Sequence, residues 1–255
     1  MKLAVGSNHA LALTGNGAAL AWGYGEQYQT GRRLLDRTKS NGLIPQGLGL
    51  NKGIIDIGTG GEHSFAVNEN GVVYAWGLNN FAQAGIMERE GEDFSNILRP
   101  TPVKSLRGYG KVVRIGGGNH HSFAVTDKGE CLTWGRCDAK SLGINIANTP
   151  LDKLIYDARG KARILTVPTQ VPNSNSAVFA AAGSDQCLGV TREGKAYSWV
   201  YTINGETGQG AAVDVEEDTL IDHPSIRGKR IVWVGYGGHY SVLAEEVVAM
   251  TNGTH

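Results

Sequence analysis

The chain has 255 residues, enough to bury a sizeable core in one large domain or two smaller ones. Lys plus Arg and Asp plus Glu balance at 24 each, so net charge alone supports neither nucleic-acid nor membrane binding. Glycine is in excess, with 37 residues against an average share of about 7 % and no collagen-like period, which points to many tight turns.

From the N-terminus, Met1-Lys2-Leu3-Ala4-Val5 starts like a leader, but Asn8 and His9 break the apolar run. The same pattern recurs further on, so it is read as a first repeat rather than an address. Four segments then align without gaps: His9 to Gly17, His63 to Gly71, His121 to Gly129 and Gln186 to Gly194. Five residues after each of these glycines stands a Trp (Trp22, Trp76, Trp134, Trp199), and nine after each Trp a further Gly (Gly31, Gly85, Gly143, Gly208). An incomplete fifth copy begins at Trp233.

Each offset predicts a local structure. The apolar run after the His, ending in a polar pair and Gly, is a strand entering a tight hairpin whose Gly supplies positive φ. The stretch up to Trp, as in Val72-Val73-Tyr74-Ala75-Trp76, alternates with period two and is the returning strand. A Gly/Asn/Gln-rich loop (78–85) follows, then an extended stretch with prolines (99–103), then an apolar strand ending in a Gly cluster (112–118). The lack of a helical period of about 10–15 residues between units argues against a βαβ fold. A unit of several short strands cannot bury both faces of its sheet, and radial stacking of blades solves that problem. The predicted fold is therefore an all-β propeller over residues 1–246, with approximate repeats at 1–50, 51–108, 109–172, 173–228 and a partial 229–246, and a C-terminal tail at 247–255.

The signature Gly-Gly-x-His-Ser-Phe-Ala-Val-x-x-x-Gly-x-x-x-x-Trp-Gly resembles the regulator of chromosome condensation family, the seven-bladed propellers that act as nuclear exchange factors for the small GTPase Ran. Gly25 to Arg32, Trp134-Gly135-Arg136 and the closing Arg227 to Leu243 are similar to the Ran-factor branch, of fungal type. Four complete repeats and a partial fifth correspond to the C-terminal portion of that family. Its upstream blade with the β-wedge, which meets the GTPase's phosphate-binding region, and its basic N-terminal tail have no counterpart in this sequence. Trp199-Val200 departs from the family's Trp-Gly.

The resemblance places the residue before each repeat His on the loop face that meets Ran: Asn8, Glu62, His120, Asp185 and His239. It marks His120 at the position of a functional His, Asn8 where members often carry an acid, and Arg32 as a family Arg after the Gly turn. Together with Asp138, the expected partner-binding set is His120, Arg32, Asn8, Asp185 and Asp138. The implied function is guanine nucleotide exchange on a Ran-type GTPase in the nucleus, with chromatin or histones as a further partner of the full-length protein. The alternative from another class is a non-catalytic interaction scaffold; a secreted inhibitor propeller is disfavoured by the absence of a signal sequence.

No cofactor, metal, membrane or small-molecule substrate is expected. His9, His63 and His121 recur once per blade and so cannot converge on one ion; they are read as structural, each hydrogen-bonded to adjacent backbone. The Ser after each His is the next strand residue and points to the opposite face, so no Ser/His dyad is expected within a strand. The Gly clusters at 58–61 and 116–118 lack the spacing of phosphate loops. Cys131, Cys137 and Cys187 lack CxxC spacing and are read as thiols of a reducing compartment. The acidic stretches Glu88 to Asp93 and Asp214 to Asp218 are read as loop tips, and Arg32 to Lys39 as the one dense basic cluster.

Overall fold

The computed structural model describes residues 1–32, 42–50, 53–87, 95–200, 208–209, 215–237 and 240–246. The strands assemble into successive antiparallel sheets, one per repeat. Blade 1 holds β1 (Lys2–Val5), β2 (His9–Leu13), β3 (Ala19–Gly23) and the short β4 (Gln46–Gly47). Blade 2 holds β5 (Ile54–Thr59), β6 (His63–Asn68), β7 (Val73–Leu78) and β8 (Asn96–Pro102). Blade 3 holds β9 (Val112–Gly117), β10 (His121–Thr126) and β11 (Cys131–Arg136), with β13 (Ala162–Gln170) and β12 (Leu154–Tyr156) outside them. Blade 4 holds β14 (Ala177–Ala182), β15 (Gln186–Thr191), β16 (Ala196–Val200) and β17 (Val215–Leu220). The last sheet has two strands, β18 (Ile231–Tyr236) and β19 (Ser241–Glu245). This is a propeller arrangement, as the repeat spacing predicts. The first strands β1, β5, β9, β14 and β18 pack side by side in that order.

The hairpin glycines Gly17, Gly71, Gly129 and Gly194 have φ between 76° and 82°, the left-handed conformation their turns require. Each Trp-Gly glycine has a second reason. Gly77 sits at φ 98°, and a Cβ there would press on the Glu62 carbonyl and the His63 backbone.

The joints between blades carry most of the specificity of the fold. Trp76, Trp134 and Trp199 are fully buried, and each indole N–H donates to a backbone carbonyl in the loop of the preceding blade: Gln29 (2.9 Å), Gln83 (3.0 Å) and Ser141 (3.0 Å). Truncating a core Trp to Ala typically costs about 3–5 kcal/mol. The repeat histidines complete the joint. His9 Nε2 lies 2.8 Å from Ser64 Oγ, His63 Nε2 2.8 Å from Ser122 Oγ, and His121 Nε2 3.0 Å from Cys187 Sγ. Ser64 and Ser122 donate in turn to the Gln29 and Gln83 carbonyls that receive the Trp. The histidines thus hold the next blade, not the adjacent backbone expected from sequence. The signature Gly two residues before the pre-His position is explained as well, because a Cβ at Gly60 would overlap the His63 ring and the Gly118 carbonyl.

Two further ties cross the joints. Asp56, buried on β5, takes Lys2 Nζ of blade 1 at 2.6 Å and the Ile115 N–H of blade 3 at 3.2 Å; its burial pushes the carboxyl above the usual range against the pull of Lys2. Asp218 corrects the reading of 214–218 as an acidic loop tip. Val215–Leu220 is the outer strand of blade 4, and Asp218 is buried, accepting the Asn173 N–H and the Ser174 hydroxyl. A carboxylate can lie in a strand when the neighbouring chain supplies its donors. Asp214, Glu88 to Asp93 and Arg33 to Lys39 lie outside the described residues.

The two ends of the array differ from its interior. Register places Leu3, Ala12 and Leu20 in one row and Val5, Ala10 and Trp22 in the next, on one face of blade 1. Leu3 and Val5 are 69 % and 74 % exposed, and Trp22 is half-buried where its three counterparts are completely covered. In the last sheet, Val234 and Leu243 pack towards blade 4, while Trp233, Tyr240 and Val242 remain substantially exposed.

Candidate partner-binding face

Two sets of loops share one face: those entering the second strand of each blade through Gly-Gly-x-His, and those leaving the third strand after Trp-Gly. Backbone bonds fix the first set to one another. Ser7 N–H donates to Gly61 O (3.0 Å), Gly61 N–H to Gly118 O (2.9 Å) and Asn119 N–H to Ser184 O (2.8 Å). The residue before each His is tied to the second set: the carbonyls of Asn8, Glu62 and His120 accept the N–H of Tyr24, Leu78 and Arg136. Side chains at these positions therefore stand on a rigid rim.

At the joint of blades 2 and 3 the rim carries a dense polar and aromatic cluster. The His120 ring stacks on Phe81 with centroids 4.9 Å apart at 44°, and the Arg136 guanidinium lies 5.4 Å from the centre of the same Phe81 ring. Arg136 Nε donates to Asp138 Oδ1 at 2.5 Å, and Arg163 Nε lies 2.7 Å from the other carboxylate oxygen. That hydrogen bond raises the Arg136 pKa above its already high ordinary value. Burial lowers the His120 pKa and Arg136 adds to the effect, opposed by Asp185, Glu62 and Asp138. His120 is therefore a neutral imidazole at pH 7, half-buried among charges of both signs. Its Nδ1 is buried and has no hydrogen-bond partner among the described residues.

Of the five residues expected from sequence, the structure brings three together: His120, Asp138 and Asp185. Asp138 is already engaged by Arg136 and Arg163, so it orients them more than it presents itself. Asn8 is exposed on the rim of blade 1, beside a hollow of about 440 Å³ lined also by Tyr24, Glu26 and Leu43. Arg32 lies further out, in a hollow of about 610 Å³ between blades 1 and 2 that also includes Arg99, Leu98 and Pro100, and its Nη1 donates to the Ala21 carbonyl. His239 is outside the described residues. Sequence reading missed Phe81 and Arg136 as members of the cluster, although their fixed distances from Trp76 and Trp134 could have revealed them.

Among the described residues of the joints, the His, Ser and Cys side chains are committed to structural contacts. The His–Ser pairs have dyad distances, but each Ser is fully buried and its proton is committed to a backbone carbonyl. Burial pushes the Cys131 thiol up to about 12 and Cys137 up to about 11, far from nucleophilic thiolates. Among the described residues no group of three or more His, Cys, Asp or Glu is arranged to hold a metal ion. What the face offers is a rigid set of hydrogen-bonding and charged groups suited to gripping another macromolecule.

Known proteins share both fold and sequence. The chain is 41 % identical over 244 residues to Protein pim1 of Schizosaccharomyces pombe, covering 95 % of this chain and 45 % of that protein. It is 33 % identical to Guanine nucleotide exchange factor SRM1 of Saccharomyces cerevisiae, over 95 % of this chain and 50 % of the relative. The crystal structure of Prp20p from Saccharomyces cerevisiae, described with its binding properties to Gsp1p and histones, superposes with a TM-score of 0.88 at 32 % identity, covering 98 % of this chain and 56 % of that one. The chain thus spans about half the length of the relatives it matches. With residues 1–243 matching the RCC1-like domain, the chain belongs to that family of repeat propellers.

Proposed function

We propose that this chain contributes the GTPase-binding face of a Ran-type guanine nucleotide exchange factor acting in the nucleus. The observation that carries the reading is the cluster at the joint of blades 2 and 3, where His120 and Arg136 meet over Phe81, Asp138 holds Arg136, and the charge of Asp185 from blade 4 reaches both. It is supported by the kinship with SRM1, an exchange factor by name, and with Prp20p, described as binding Gsp1p and histones.

Exchange needs no covalent step. A factor that holds the nucleotide-free GTPase more tightly than the loaded form weakens the nucleotide by the same free energy, as linkage requires. A neutral His120 accepts or donates one hydrogen bond without the desolvation cost of an ion, while Arg136, preset by Asp138, supplies a fixed charge. Histones or chromatin are a further proposed partner of the whole protein.

The test is release of a fluorescent GDP analogue from a Ran-type GTPase. Catalytic amounts of the folded chain accelerate release, and His120→Ala abolishes the acceleration. No acceleration by a folded sample, or full activity in His120→Ala, overturns the proposal. The chain's span of half its relatives favours a second reading, in which this face binds the GTPase without accelerating release; binding with no rate change is its signature.

A further inference from the structure

The internal repeat allows the cluster to be compared with its own counterparts. Phe81 stands five residues after Trp76, and the same offset gives Gln27, Ala139 and Asn204 in the other repeats. Arg136 stands two residues after Trp134, where the others have Tyr24, Leu78 and Tyr201. His120 precedes the repeat His, where the other complete repeats have Asn8, Glu62 and Asp185. Among the described residues the first three repeats frame these positions alike, with the pre-His carbonyl bonded to the N–H two residues after Trp and positive φ at Tyr28, Ala82 and Lys140, and none of this requires the three residue types. Among the described residues, the joint of blades 2 and 3 alone combines an aromatic ring, an imidazole and a guanidinium.

The loop that carries Phe81 is built to hold it still. Asn79 Nδ2 donates to Ile86 O, Asn79 Oδ1 accepts the Ala84 N–H, and Gln83 Oε1 accepts the Phe81 N–H itself. Ala82 takes φ 56° and Gly85 φ 73° to close the loop. The ring is thereby presented from blade 2 against two residues of blade 3: His120 from one loop and Arg136 from the other. His120 has no hydrogen bond at its buried Nδ1, so aromatic stacking sets the plane of its ring.

We infer that Phe81 is a positioning residue for the partner-binding face, fixing the orientation of His120 and Arg136 so that both are presented to the partner already ordered. The inference rests on the exchange-factor reading for its functional consequence but not for its structural content. Ordering the two side chains before contact lowers the entropy lost on binding. The ring contacts give a neutral and a charged group one shared platform.

The test combines two measurements on the full chain carrying Phe81→Leu, Phe81→Trp or His120→Ala. In ¹H–¹³C spectra the His120 Hε1 resonance, assigned by its loss in His120→Ala, feels the Phe81 ring current. It moves in Phe81→Leu, which places the ring against His120, while the thermal midpoint stays within a few degrees of the parent, which sets aside a general loss of stability. In the nucleotide-release assay Phe81→Leu slows exchange about tenfold, Phe81→Trp restores most of it, and the double variant with His120→Ala is no slower than His120→Ala alone. An unmoved His120 signal in Phe81→Leu, or losses that multiply in the double variant, overturns the inference. If the parent chain does not accelerate release, the exchange reading fails separately and the spectra alone decide the role of Phe81.

Discussion

Acidification should unfold this protein through its repeat histidines. Burial lowers the His9 pKa to about 4 and that of His121 to about 3, and pushes His63 well below its ordinary 6.5. All three are held neutral inside the blade joints, where Nε2 meets a Ser or Cys of the next blade. The unfolded chain takes up a proton at each near 6.5, the folded chain only far below, so protons favour the unfolded state. Stability is flat above about pH 7.5 on this account and falls as pH drops from 6.5 towards 4 for His9 and towards 3 for His121. At pH 5 the loss is about 2 kcal/mol for each of these two residues, a large share of the roughly 5–15 kcal/mol available to a folded protein. Urea titrations at half-unit steps between pH 5 and 8 give the free energy of unfolding and its slope. His121→Gln is a suitable probe because Gln186 occupies the equivalent position in blade 4. Removing one titrating His should flatten the slope near pH 5.5 by about one proton, or about 1.4 kcal/mol per pH unit. Coincident slopes for the parent, His9→Gln and His121→Gln across that window would refute the reasoning.

Two further outcomes follow from the joints and the ends of the array. Ser122→Ala leaves the buried His63 Nε2 without its partner, while Trp134 still occupies the Gln83 carbonyl, so the loss should be about 1–3 kcal/mol in a urea melt; a loss within error would mean that the His–Ser bond contributes nothing. The uncovered apolar rows of Leu3 and Val5 at one end and of Trp233 and Val242 at the other should make the isolated chain self-associate. Light scattering should rise with concentration and fall in Val5→Lys, and a monodisperse monomer that does not bind an apolar dye would contradict this.

The blades were legible because every strand and turn depends on a short offset: Gly71 closes the hairpin that Asn68 opens, and Trp76 returns five residues later. The joints were not, because their partners are far apart in sequence. Ser64 reads as a strand residue next to His63, yet its hydroxyl meets His9, 55 positions away. Asp218 reads as one acid in a solvated run until Asn173 and Ser174 arrive from the start of the blade. At the candidate face, the resemblance indicated His120, but the stacking that orients it comes from a different repeat. Asn8 and Arg32 share its face in sequence logic and stand beside separate hollows in the fold, since the pre-His position and the Gly turn after Trp are carried to different radii of the blade.

The joints also have a direction. Blades 1 to 3 each offer a His ring and a loop carbonyl forwards, and blades 2 to 4 receive them with a Ser or Cys and a Trp, so in blades 2 and 3 the donor and receiver halves belong to the same repeat. A gene segment copied at the length of such a repeat therefore carries both halves of a junction. Architectures of this kind can gain or lose units as whole modules. The pressure on each junction is then to remain interchangeable, which leaves the rim residues, outside that contract, free to diverge one joint at a time.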